Sequence, residues 1–284
     1  GVLAAKGTSH LLSPYKGKTL GTIVARFFSN HMLGIDKDYT GYLNYYEGMI
    51  LAVSILTVFA VSYFIVKKST RVKALVLTVF LVFLTIMPLT SRILVFTKHS
   101  YRWTFMICFV EALVIGCFLQ DVFREKNRKT VLAGSILAIV ICGGLLVWMY
   151  SFKNIKPDHK VTAGVIGFFA VYLILFAVGT SVKKMYRIFP AAVLMVLICE
   201  LFVLDYPSLW HRESPTRNQV ATEYYNDGTK EAAAMLKEQD DSVYRIEKSY
   251  TSASENDGMS QGYNGLSVYM STNPASLVAY HKMY

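Results

Sequence analysis

VLAGSILAIVICGGLLVWMYSF, residues 131–152, runs from Val131 to Phe152 without one charged side chain. A helix that crosses the roughly 30 Å hydrocarbon core of a bilayer needs about 20 mostly apolar residues. Lipid offers the backbone no hydrogen bonds, so such a run is expected to satisfy its N–H and C=O groups internally, as a helix. Five further segments on either side read the same way: 47–66, 74–95, 103–119, 161–182 and 188–204. The expected architecture is a mainly α, polytopic bundle of about six transmembrane helices over 47–204. Pro88 falls inside the second span and should kink or end that helix. Pro190 falls near the start of the sixth, where a missing N–H costs little.

The composition of the 284-residue chain agrees. Hydrophobic residues make up 54% and charged residues 17%, against roughly 25% charged in soluble domains. That excludes both a wholly water-soluble protein and a disordered chain, which needs low hydrophobicity. Charge is uneven: residues 1–204 carry 22 Lys and Arg against 8 Asp and Glu, whereas 205–284 carry 7 against 11. The chain therefore reads as a membrane part and a water-facing part. The absence of an initiator Met and of a closing element after the last strand-like run marks it as an expected piece of a longer protein.

Basic residues set the expected direction. The loops after spans one, three and five hold 11 Lys and Arg, including Lys67, Arg71, Arg124 and Lys183, and the alternate loops hold 6. Cytoplasmic loops collect such residues, so residues 1–46 and the tail 205–284 are expected to be extracytoplasmic. Basic charge confined to short interspan loops is what topology requires, and nucleic acid is excluded as a partner.

Soluble catalytic signatures are missing. Cys108, Cys117, Cys142 and Cys199 all fall within spans, without a CxxC pair. The six histidines are scattered, with no metal-ligand spacing, and there is no phosphate-binding loop or nucleophile elbow. No cofactor is evident. Glu111 lies mid-span, where a carboxylate costs about 2.5–3.5 kcal/mol on insertion scales; a pathway role and an interhelical hydrogen bond are both open. Glu200 is nearer the outer interface and reads as a packing residue able to snorkel. Arg102-Trp103 opens span three. It reads first as an interfacial anchor and, more sharply, as a guanidinium for a lipid-linked phosphate. Ala163-x-x-x-Gly167 fits small-residue helix packing.

Outside the spans, Leu20, Ile23, Val24, Phe27 and Phe28 recur at helical spacing, as in an amphipathic helix on the surface or packed in a loop. Tyr39, Tyr42, Tyr45 and Tyr46 suit a membrane interface first, and also stacking on sugars. The tail reads as α+β: a turn at Asn226-Asp227-Gly228, a helix from Lys230 to about Glu238 capped by Thr229, alternating strands at Val243–Tyr250 and Leu266–Met270, and a second turn at Asn256-Asp257-Gly258.

Tyr45-Tyr46-Glu47-Gly48 and Tyr101-Arg102-Trp103-Thr104, with Tyr244-Arg245-Ile246-Glu247-Lys248, Asn256-Asp257-Gly258, Gly262-Tyr263-Asn264-Gly265-Leu266-Ser267 and Ser271-Thr272 in the tail, resemble the bacterial YfhO-type multi-pass membrane protein family. The resemblance covers most of the chain. It implies a glycosyltransferase of the GT-C architecture in the bacterial cell membrane, taking sugar from a polyprenyl-phosphate donor and placing it on a teichoic-acid-type surface polymer outside the cell. It also implies an acidic catalytic residue in a first outward loop, upstream of Gly1, so no catalytic residue is assigned here. Glu111, Arg102 and Glu47 are the candidates for the donor-lipid cavity. A transporter or flippase of a lipid-linked substrate and a non-enzymatic scaffold or sensor are the competing readings.

Overall fold

The computed structural model describes residues 13–35, 38–42, 54–95, 101–125, 127–182, 188–204, 206–207, 216–221, 227–240, 242–248 and 257–265. They fall into two compact units, Gly1–Arg212 and Glu213–Tyr284. The described residues are mainly helical.

The first unit opens with α1 (Gly17–Arg26), followed by α2 (Leu56–Val66), α3 (Arg71–Ile86) and α4 (Pro88–Val95). A 3-10 turn, Arg102–Thr104, leads into α5 (Phe105–Glu125); α6 (Arg128–Ser151), α7 (His159–Gly179) and α8 (Phe189–Leu204) complete it. Asn127 caps α6 by accepting the Thr130 N–H, and Asp158 caps α7 by accepting from Lys160 and Val161. α2 is the hub: it packs on α6, α5 and α3, while α7 pairs with α8 and α1 lies against α6 and α3. Gly134 makes the α2–α6 contact possible, because a Cβ there would lie 2.9 Å from Tyr63 Cα. The buried face of α6 is small in its middle, with Gly134, Ser135, Ala138 and Cys142 between Val131 and Met149. Ala163 and Gly167, the expected packing pair, are instead exposed on α7.

Around α2 lies one aromatic-rich core. Phe59 stacks on Phe169 with centroids 4.8 Å apart and also meets Phe176, while Tyr63 meets Phe118. A second core gathers Tyr15, Ile23, Tyr101, Trp103 and Ile107. The outward faces are apolar too: Phe80 and Phe83 on α3, Ile136 and Val140 on α6, Ile174 on α7 and Phe202 on α8 are all exposed. Exposed apolar faces on this scale are what lipid covers.

Three helices are long and apolar enough to cross a membrane: Arg102–Arg124, α6 and α7; α3 and α4 make a fourth if that bent pair is one span. The count among the described residues is thus three to four, not six. Each shortfall has a physical cause. α3 and α4 meet at 83° across Met87, since Pro88 lacks an N–H to continue the ladder. α8 has 16 residues, about 24 Å of helix. α2 has 11, about 16 Å; the earlier part of that expected span, 47–53, lies outside the described residues.

The break at Pro88 is sealed from two sides. Tyr101 OH donates to Thr85 C=O at 3.0 Å, and Tyr15 N–H donates to Ile86 C=O at 2.9 Å. At one end of the bundle Lys67 Nζ pairs with Asp121 at 2.8 Å, and Arg71 donates to the C-terminal carbonyls of α2, Ile65 and Val66. At the other, Asp158 N–H donates to Met32 C=O at 2.8 Å, so the segment after α1 is fastened to the start of α7. α1 is therefore an embedded element with Ile23, Val24, Ala25 and Arg26 buried.

The second unit contains the helical turn α9 (Arg217–Gln219), α10 (Thr229–Gln239) and the short α11 (Asp257–Gln261). The alternating run from Val243 does not become a strand. Ile246 and Gly265 form a single parallel bridge, and Val243 is fully exposed; alternation stabilises a strand only where one face is covered. The second expected strand, 266–270, lies outside the described residues, so an α+β domain is not what the described tail displays. Thr229 is the first residue of α10 rather than its cap: Gly228, at φ 83°, precedes it, and Asp227 accepts the Thr229 N–H at 3.0 Å. The expected turn at Asp257-Gly258 is the first turn of α11.

Candidate functional site

Glu111 lies on the buried face of α5 with Ile107, Ile115, Phe118 and Val122, at 4% exposure. Ile107 belongs to the second core and Ile115 to the first, so the carboxylate stands where the two apolar clusters adjoin. Arg26 occupies a like position on α1, three residues after Ile23 of the second core and next to Ala25 of the first. It is fully buried, with its guanidinium carbon 5.9 Å from the centre of the Tyr39 ring. Sequence reading passed over Arg26, although a guanidinium inside the apolar Leu20–Phe28 run was the available signal.

Arg102 and Glu111 do not share a face. Arg102 is exposed on the 3-10 turn while Glu111 points inward, as nine positions on a helix of 3.6 residues per turn require. Glu47 lies outside the described residues. Trp103, expected at an interface, is instead buried at 3% exposure, with its indole N–H 3.3 Å from Ser91 Oγ. Its ring stacks near Tyr101, so it belongs to the seal around the α3–α4 break.

Glu200 does not snorkel; it is 2% exposed. Its Oε2 accepts from Ser54 Oγ at 2.6 Å and from Tyr172 OH at 2.7 Å, and its Oε1 accepts the Ile55 N–H at 2.6 Å. The Leu56 N–H is taken by Ser54 Oγ at 3.0 Å. Together they satisfy the orphan donors at the start of α2. All three partners of Glu200 donate, so its oxygens serve as acceptors, and most of the roughly four lone-pair sites of a carboxylate are in use. This is a structural clamp joining α2, α7 and α8. Farther along α8, Ser29 Oγ donates to Leu204 C=O and lies 3.1 Å from His31 Nδ1.

Among the described residues no group of three or more His, Cys, Asp or Glu could hold a metal ion. Beyond the Glu200 clamp, the charged or imidazole side chains buried among the described residues of the bundle are Arg26, His31 and Glu111; of these, Arg26 and Glu111 are set among the apolar clusters.

An apolar helical bundle with lipid-suited outer faces defines an integral membrane protein. The family model described as bacterial membrane protein YfhO matches residues 12–283, and the chain belongs to that family. No curated protein and no solved structure matches it.

Proposed function

We propose that the chain is part of a membrane glycosyltransferase that takes a sugar from a polyprenyl-phosphate carrier and transfers it to a cell-surface polymer of the teichoic-acid type. The observation that carries this reading is the burial of Glu111 within the apolar helix α5, where two cores adjoin. An ionisable group so placed costs several kcal/mol and characteristically marks a substrate path. In this reading Glu111 lines the donor path inside the bundle, Arg102 meets the carrier phosphate on the outer face of the same helical segment, and no catalytic residue is assigned. The end bearing Lys67, Arg71, Arg124, Arg128 and Lys129 is cytoplasmic by the excess of basic residues. Acceptor chemistry then belongs to the opposite side, where nucleotide sugars are absent and a lipid-carried donor is the chemically sensible source. A carboxylate acting as general base on an acceptor hydroxyl would complete the reaction.

One observation favours a second reading. The 83° break between α3 and α4 is the kind of interrupted helix that transporters use at substrate sites, which suits a flippase of a lipid-linked substrate. Reconstituted protein, with any native flanking sequence, given a labelled polyprenyl-phosphate sugar separates the two. Label on an acceptor polymer, cut at least tenfold by Glu111→Gln at equal expression, supports transfer. Carrier that crosses the bilayer with its sugar retained supports the flippase and overturns the transferase.

A further inference from the structure

Lys230, Ala233, Ala234 and Lys237 fall at i, i+3, i+4 and i+7 of α10, along one helical face. The alanines end at Cβ, so the facing wall does not close on them. That wall comprises Tyr244 and Ile246 with Gly262, Tyr263 and Asn264, and a cleft of about 380 Å³ remains. Such a volume is that of a small-molecule site.

The walls are fixed from behind. The Ile246 N–H donates to Asn264 C=O at 2.8 Å. Gln261, 5% exposed, accepts from Lys248 Nζ and donates to Asp227, both at 3.2 Å. Asp240 also lines the cleft as a carboxylate, its Oδ1 accepting the Ser242 N–H at 2.8 Å, so with Lys230 and Lys237 the lining keeps a formal excess of one positive charge. The two ammonium groups stem from positions about 10 Å apart along α10. They frame a space whose other walls supply two phenol rings and a carboxamide. Lysine is a point-charge binder of phosphate. Tyrosine gives an apolar face with a polar tip, which suits a ring bearing hydroxyls.

We propose that this cleft binds an anionic saccharide of the hexose phosphate class, the phosphate between Lys230 and Lys237 and the ring against Tyr244 and Tyr263. The site goes beyond the transferase reading, since it requires neither a lipid donor nor a transfer step.

The test is equilibrium binding to the protein in lipid nanodiscs, followed by saturation-transfer NMR, with glucose 6-phosphate, glucose and inorganic phosphate as probes. Glucose 6-phosphate should bind saturably, at least tenfold more tightly than either of the others. The double variant Lys230→Ala/Lys237→Ala should remove that advantage. Ala234→Trp, which fills the cleft without changing charge, should abolish binding. All three positions are exposed, so the fold should tolerate these changes. Equal affinity for the three probes, no binding by the wild type, or binding that survives Ala234→Trp would each overturn the site. No outcome bears on sugar transfer, which the assay does not read.

Discussion

The Ile55 N–H and the Glu200 carboxylate meet at 2.6 Å across 145 positions of sequence. That single bond places the start of α2 against α8, and Ser54 and Tyr172 complete the clamp from α2's own leading edge and from α7. A helix end inside an apolar bundle has no water to take its orphan N–H groups. Another helix supplies the acceptor.

Glu200→Leu should leave three donors facing hydrocarbon. Interhelical hydrogen bonds in membranes are worth well under 2 kcal/mol each, while an unsatisfied buried donor costs about 1–3 kcal/mol. A total loss of about 2–4 kcal/mol is expected from Glu200→Leu, and roughly half that from Glu200→Gln, which keeps a carbonyl acceptor. Thermal unfolding in detergent reads the difference; equal midpoints for both variants would remove the clamp from the account.

Gly134→Ala should push α2 and α6 apart, because the new Cβ meets Tyr63 backbone that cannot swing aside. Overpacking of this kind costs about 1–3 kcal/mol. Gly143→Ala and Gly144→Ala meet nothing within 4 Å and should be neutral or slightly stabilising. The comparison needs only melting curves of the three variants, and it fails if they rank otherwise.

Tyr101→Phe deletes the hydroxyl that seals Thr85 C=O while keeping the ring in its aromatic cluster. The expected cost is about 1 kcal/mol, with the loss concentrated at the α3–α4 break. Hydrogen exchange at amides 85–92 should quicken more than in α6. Uniform change along the chain would contradict a local seal.

Asp240 gives a pH signature. The Ser242 hydroxyl and then its N–H hold the carboxyl below the ordinary carboxylate range. The folded value lies below the unfolded one, so the contribution is present above the unfolded value, near 3.9. It is lost as pH falls through the folded value. Ser242→Ala should raise the Asp240 midpoint followed by carbon-detected NMR; an unmoved midpoint would assign the shift elsewhere.

Much of the bundle was legible because apolar runs such as 131–152 admit one solution in lipid. Helix ends were less so. The Glu200 clamp joins Ser54, Ile55, Tyr172 and Glu200 from three separate segments, and no local pattern pairs them. Small residues misled in the other direction: Ala163-x-x-x-Gly167 had the spacing, but the close helix approach is made by Gly134, which meets Tyr63 backbone. For the candidate site, Glu111 stood out as a charge in an apolar helix. Arg26 did not, because a single guanidinium within an amphipathic run resembles an ordinary polar face. In the tail the period-two pattern at 243–250 indicated a strand, but among the described residues of that run only Ile246 finds a bridging partner.

The seal at Pro88 also bears on assembly. α3 emerges from the ribosome after Tyr15 and before Tyr101, while its Thr85 and Ile86 carbonyls require both. The bend is therefore closed by residues that lie on both sides of it in sequence. Biogenesis of this bundle would then complete the bend only once the chain has reached Tyr101.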